Sequence, residues 1–197
     1  MPEKSDPAQY QLASMYAKNF LRSESWIEKA EDLLGASHLL EEKLVCFWES
    51  LSHEVDAAEE LAYLGNLQAP YFMLVAFAIE NFCKAYLIRK NERDLRNRLF
   101  RRLPSYINEH DLARLAKRVD LPLDAPEEEL LARLTRCSIW AGRYPVPATP
   151  NGMRNIEEFS DGRRYLLCYF SAPDIPRVHK FLERLRLHVD PPSGVAD

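Results

Sequence analysis

Glycine is scarce in this chain, six among 197 residues, which argues against a turn-rich sheet protein, because tight corners call for residues that adopt positive φ. No glycine-rich phosphate loop is present, no His-Glu-x-x-His, and no Ser, His and Asp set in a recognisable frame. The common motifs of nucleotide hydrolysis, zinc proteolysis and serine hydrolysis are therefore missing. Cysteine is sparse and dispersed. Cys46, Cys83, Cys137 and Cys168 stand far apart inside apolar patterns, with no Cys-x-x-Cys and no neighbouring histidine pair; reduced structural thiols are expected, and neither a metal nor a cofactor is. Positive charge is not in excess either. A formal charge of -4 gives no global attraction to phosphate and leaves only local patches for nucleic acid. The opening Met1-Pro2-Glu3-Lys4-Ser5-Asp6-Pro7 lacks the basic-then-apolar order of a secretory signal, and the most apolar stretch, 71–88, is interrupted by Glu80, Asn81 and Lys84. The expectation is a cytoplasmic protein with no membrane contact.

What is abundant favours helix: Leu, Ala, Glu and Arg dominate, and 197 residues suit one all-α domain. Leu12, Met15, Tyr16 and Phe20 recur at helical spacing and predict a first helix over 8–21 with those residues on its apolar face. Ser25 and Glu28 have capping-box spacing, Ile27, Ala30 and Leu34 give the stripe of a second helix, and Gly35 suggests where it weakens. A third segment from Ser37 carries Leu40, Leu44, Trp48 and Leu51, with Ala58, Leu61 and Leu64 as a continuation after a bend. Pro70 fits the first turn of a helix that is apolar nearly all round, the expected centre of the bundle. Asn108 and Asp111 are candidate caps for a helix with Leu112, Leu115 and Val119 inside. Asp124 to Glu129 open another, with Leu130, Leu131, Leu134 and Cys137 as its stripe and Gly142 as its end. The chain then reads as loop to about residue 160. Residues 165–170 fit a helix turn or a short strand equally, and 174–189 form a last helix with Ile175, Val178, Leu182, Leu185 and Val189 inside.

Several polar residues stand in apolar surroundings. Glu80 and Lys84 are one turn apart, acid before base, on the most hydrophobic helix. Burying two ions costs several kcal/mol each unless they are paired and hydrogen-bonded. Such a pair either fixes helix register or serves binding or chemistry. His110 is either a general base or a partner for Glu80, and Asp111 is a helix cap. Arg143, beside Tyr144 and a proline, either folds back onto last-turn carbonyls or reaches outward to a phosphate. The run 89–102 concentrates arginines, Arg102 among them, and is either a nucleic-acid contact or a solvated face, since Glu92 and Asp94 are interleaved.

Three pieces occur in order: Ala78-Ile79-Glu80-Asn81-Phe82-Cys83-Lys84-Ala85-Tyr86-Leu87, His110-Asp111-Leu112-Ala113-Arg114-Leu115, and Gly142-Arg143-Tyr144-Pro145. Together they resemble the HEPN family over about residues 70–146, with Glu109 where that family usually has glycine. The resemblance implies an up-and-down helical bundle, with 1–69 and 147–197 as helical additions, commonly a homodimer. It implies binding of nucleotide, RNA or a protein partner such as an antitoxin or a nucleotidyltransferase, in bacterial defence or toxin–antitoxin settings. It also brings an alternative, metal-independent endoribonuclease activity with His110 as base and Arg143 or Arg102 opposite the phosphate. The Arg-x4–6-His spacing of those nucleases is absent, Arg102 and His110 being too far apart and Arg184 and His188 too close. A purely structural dimer is the third reading. Lys84, Arg143 and Arg102 are the candidate phosphate contacts, and Glu80, Lys84, His110, Asp111, Arg143 and Tyr144 the candidate polar cluster.

Overall fold

The computed structural model describes residues 7–51, 66–99, 103–143, 148–149, 156–158, 164–166 and 170–191. The order of elements is α1 (Pro7–Leu21), α2 (Ser23–Leu51), α3 (Gln68–Lys90), α4 (Glu92–Arg98), a 3-10 turn (Ser105–Asn108), α5 (Leu112–Arg118), α6 (Ala125–Arg136), a π turn (Cys137–Ala141), β1 (Ile156–Glu158), β2 (Arg164–Leu166) and α7 (Asp174–Val189). The class is all-α. Its two three-residue strands pair antiparallel, Glu157 opposite Tyr165, which puts a strand inside the expected loop before residue 160 and gives 164–166 to strand rather than helix.

α3 organises the rest because it has no polar face to turn outward. Tyr71, Phe72, Val75, Ala76, Ala78, Ile79, Phe82, Cys83, Ala85, Leu87 and Ile88 are all buried, so apolar positions occur on every side of the cylinder. By length and apolarity alone it would qualify as a membrane span, with mean hydropathy 1.4, but here other helices cover it. α2, α4, α5, α6, the π turn and α7 all pack on it, α2 most extensively. The main core takes Leu34 and Leu44 from α2, Leu112 and Leu115 from α5, Leu130, Leu131 and Leu134 from α6, and Val178, Phe181, Leu182 and Leu185 from α7. Phe170 lies flat on Phe72, ring centroids 3.7 Å apart, just before α7 begins.

α2 is one unbroken helix of 29 residues, so Gly35 does not divide it and Ser37 opens nothing. Gly35 faces solvent, where its lost helix propensity costs little against the packing of Ala30, Leu34 and Leu44 on α3. The helix starts at Ser23, which places Ser25 and Glu28 inside its first turns rather than at a cap; the Glu28 carboxylate instead accepts from Arg22 at 2.6 Å. α1 also departs from expectation. Leu12, Met15 and Tyr16 are 68%, 62% and 50% exposed, and only Phe20 of the proposed face is buried. The helix is rotated so that Ala17, Phe20 and Leu21 meet Ile88, Leu95, Leu99 and Ile107 in a second, smaller core. Asp111 caps α5 alone, accepting from the Arg114 N–H at 3.0 Å, while Asn108 ends the 3-10 turn. Asp124 and Glu127 cap α6 reciprocally at 2.8 and 3.1 Å, and α7 spans the expected residues. The continuation through Ala58, Leu61 and Leu64 lies outside the described residues, as does Cys168. Of the other cysteines, Cys83 and Cys137 are buried but Cys46 is exposed on α2.

Two glycines separate helix propensity from packing. A Cβ on Gly35 would meet nothing within 4 Å, whereas one on Gly142 would stand 2.9 Å from both the Cys137 carbonyl oxygen and the Met73 Cβ. Gly35→Ala is expected to raise stability by about 0.5–1 kcal/mol, and Gly142→Ala to lower it by about 1–3 kcal/mol. Urea unfolding of both variants checks this; shifts of the same sign would contradict it.

Candidate functional site

The polar centre of α3 is built on Glu80 and Lys84. Their side chains are 11% and 5% exposed and joined at 2.6 Å, with the acid N-terminal to the base as helix geometry favours. A buried pair of this kind is strongly destabilised when one partner is removed, by about 3–5 kcal/mol, because the other charge is then left uncompensated. Cys83 shares this environment. Burial, and then the Glu80 charge, push its thiol up to about 12, with Lys84 pulling the other way, so the sulfur stays protonated and unreactive.

His110 completes the group from a distant part of the chain. Its Nδ1 lies 3.1 and 3.0 Å from the two Glu80 carboxylate oxygens, while 57% of the side chain remains exposed. Local structure fixes the histidine there. The 3-10 turn delivers the chain to Glu109, whose Oε1 accepts from the His110 and Asp111 N–H groups at 3.2 Å each. Asp111 then starts α5, and the Leu112 N–H donates to the Thr135 hydroxyl on α6 at 3.0 Å. Glu109, standing in the place of the resembled family's glycine, thus ties down the backbone on both sides of the imidazole. With Nδ1–H donating to Glu80, the outward Nε2 is set as an acceptor in the neutral ring and a second donor in the charged one.

The remaining candidates are placed differently. Asp111 is occupied as a cap and by an ion pair with Arg114 at 3.2 Å, so it belongs to the helix start rather than to the Glu80 group. Arg143 donates to the Ile139 carbonyl at 2.8 Å and lays its guanidinium over the Phe77 ring, 5.7 Å from the centroid. That is the fold-back arrangement expected at a helix end. Phe77 lies one turn before Glu80, which puts Arg143 beside the same flank of α3. Lys84, 4% exposed, is not a surface contact: burial and Glu80 hold its ammonium inside. Arg102 and Tyr144 lie outside the described residues. Three of the basic groups in the described part of the run are ion-paired. Arg96 pairs with Glu92 at 2.6 Å, Arg98 with Asp94 at 2.9 Å, and Lys90 with Asp120 at 2.8 Å.

A second buried ion cluster joins α6 to α7. Arg133, 5% exposed, holds both oxygens of Asp174 at 2.9 and 2.7 Å and also stands against Glu129. Arg177 bridges the same two acids at 2.8 and 2.9 Å, and the Ser171 N–H donates to Asp174 at 2.9 Å. Two acids and two arginines balance, and every group faces an opposite charge, so the cluster fastens the two helices together. The sequence carries half a signal for it, since Glu129 and Arg133 repeat the spacing of Glu80 and Lys84 inside an apolar stripe; Asp174 gives none.

No family model matches the chain, and no curated protein or solved structure matches it either. What fold and site define is a class: an all-α protein with a central buried helix whose Glu–Lys pair holds a surface histidine.

Burial raises the Asp174 carboxyl, but the Arg133 hydrogen bonds and charge, with Ser171 and Arg177, outweigh it and hold the acid below its ordinary range. Its folded pKa is thus depressed, so its stabilisation is complete above the unfolded value of about 3.9 and is lost as pH falls through the folded one. Urea unfolding between about pH 7 and pH 3 should show stability falling with acid in the wild type and falling less in Asp174→Asn. Equal acid sensitivity would contradict this assignment.

Proposed function

We propose that this chain is a HEPN-like module, an up-and-down helical bundle, that binds nucleotide or short RNA through the surface presenting His110 and Arg143. One observation carries the reading: an imidazole more than half exposed is backed through Nδ1 by both oxygens of a buried carboxylate. Such backing fixes the ring's orientation and leaves Nε2 turned outward, where a phosphate oxygen can meet it. Lys84 balances Glu80 from below, so the histidine is oriented by a neutral pair rather than by a bare buried anion. Arg143 adds positive charge along the same helix flank. The chain's net charge of -4 and the ion pairs of Lys90, Arg96 and Arg98 suit a small phosphate footprint rather than a duplex track. The setting implied by the resemblance is bacterial defence or toxin–antitoxin pairing, with a homodimer, an antitoxin or a nucleotidyltransferase as protein partner.

A metal-independent endoribonuclease is the second reading, and the same dyad favours it, because a carboxylate-oriented imidazole is the arrangement of a general base. The missing Arg-x4–6-His spacing weighs against it. A structural dimer is favoured by a separate feature, the exposed Leu12, Met15 and Tyr16 on α1.

Fluorescence anisotropy with labelled short RNAs and nucleotides tests the proposal. Saturable binding is expected, weakened about tenfold or more by His110→Ala and by Arg143→Ala, as loss of a charge-assisted hydrogen bond requires. No binding by the wild type, or binding indifferent to both substitutions, would overturn it. RNA cleavage in EDTA that His110→Ala abolishes would move the assignment to the nuclease.

A further inference from the structure

His38 and Glu41 stand three apart on α2, so they share a face, and α7 brings His179 against them. The three offer ligand atoms that all lie within 4.8 Å of one another. His179 Nε2 is 2.9 Å from Glu41 Oε2, and the His38 and His179 rings meet edge to face with centroids 6.2 Å apart. Glu41 is held from behind by the Tyr71 hydroxyl, which donates to the same Oε2 at 2.9 Å from a ring that is 1% exposed. A carboxylate fixed by a buried donor beside two imidazoles is the arrangement by which outer groups orient a metal ligand.

We propose that His38, Glu41 and His179 bind one divalent transition-metal ion of the zinc class, bridging α2 and α7. Two imidazoles and one carboxylate form a borderline donor set that suits zinc, cobalt or nickel and disfavours magnesium and calcium, which take oxygen ligands. Two ligands at about 2 Å from a common ion are separated by about 4 Å at most. The observed 4.8 Å limit therefore asks for only a small rotation, and His38 and His179, both exposed, are able to make it. Three protein ligands leave at least one coordination position for water. Beside the two histidines is a cavity of about 300 Å³ lined also by Leu34, Leu182, Glu183 and Arg186, so that position opens onto a space where a small molecule fits. The ordinary alternative is a surface His179–Glu41 ion pair, worth little to stability. It gives no role to His38, whereas the metal uses all three residues.

Titrating the metal-free protein with Zn2+ by calorimetry, and with Co2+ by visible absorption, tests this directly. One equivalent is expected to bind, with the intense Co2+ bands of a four-coordinate site and a rise in melting temperature. His38→Ala, Glu41→Gln and His179→Ala, all at the surface or its edge, should each lower affinity by about tenfold or more, and so should Tyr71→Phe through the lost outer hydrogen bond. Circular dichroism confirms that the variants remain folded, and if Glu41→Gln does not fold, the two exposed histidine variants decide. Absence of a saturable single equivalent in the wild type, or affinity unchanged in both histidine variants, would overturn the proposal.

Discussion

A helix that is apolar on every side has nowhere to meet water, and α3 imposes that condition on the whole molecule. α2, α4, α5, α6 and α7 are each placed where they cover part of α3, and the two buried charges α3 carries must be satisfied inside the jacket. Glu80 and Lys84 answer each other, and the carboxylate has capacity left over. His110 takes it up from the edge of the jacket, between the 3-10 turn and α5. One buried pair thus connects the packing problem of the core to the half-exposed imidazole of His110.

The second ion cluster shows what a closed solution looks like. Arg133, Glu129, Asp174 and Arg177 spend their hydrogen bonds on one another and on nearby backbone, and the three central groups are almost fully buried. None of those three central groups is presented to a ligand. Around Glu80 the arrangement is open on one side, since more than half of the His110 side chain reaches solvent. The contrast, rather than the presence of buried charge as such, separates a structural clamp from a candidate site.

Much of this was legible in the chain. The 3.6-residue stripe of 174–189, the Asp124 cap and the all-round apolarity of α3 are local signals, and local signals fix helices. The face of α1 was not legible, because its sequence supports two overlapping stripes, one through Leu12, Met15 and Tyr16 and one through Ala17, Phe20 and Leu21; only the neighbour it packs on decides between them. Gly35 misled for a similar reason, a weak propensity set against extensive packing. At the site, the spacing of Glu80 and Lys84 announces their pairing, and the sequence offers His110 as a partner for Glu80, although it lies thirty positions further along. Arg143 could be read as a helix-end cap from Gly142 and the proline that follows. The Asp174 and His179 contacts depend on how α7 settles against α6 and α2, which no local pattern encodes.

The central claim is that a buried carboxylate orients an exposed imidazole, and the tautomer of His110 tests it most directly. With the ring neutral, nitrogen-correlated NMR of the imidazole should show the proton on Nδ1 and an unprotonated Nε2, and Glu80→Gln should abolish or weaken that preference. A neutral ring protonated at Nε2 in the wild type, or a tautomer indifferent to Glu80→Gln, would contradict the account.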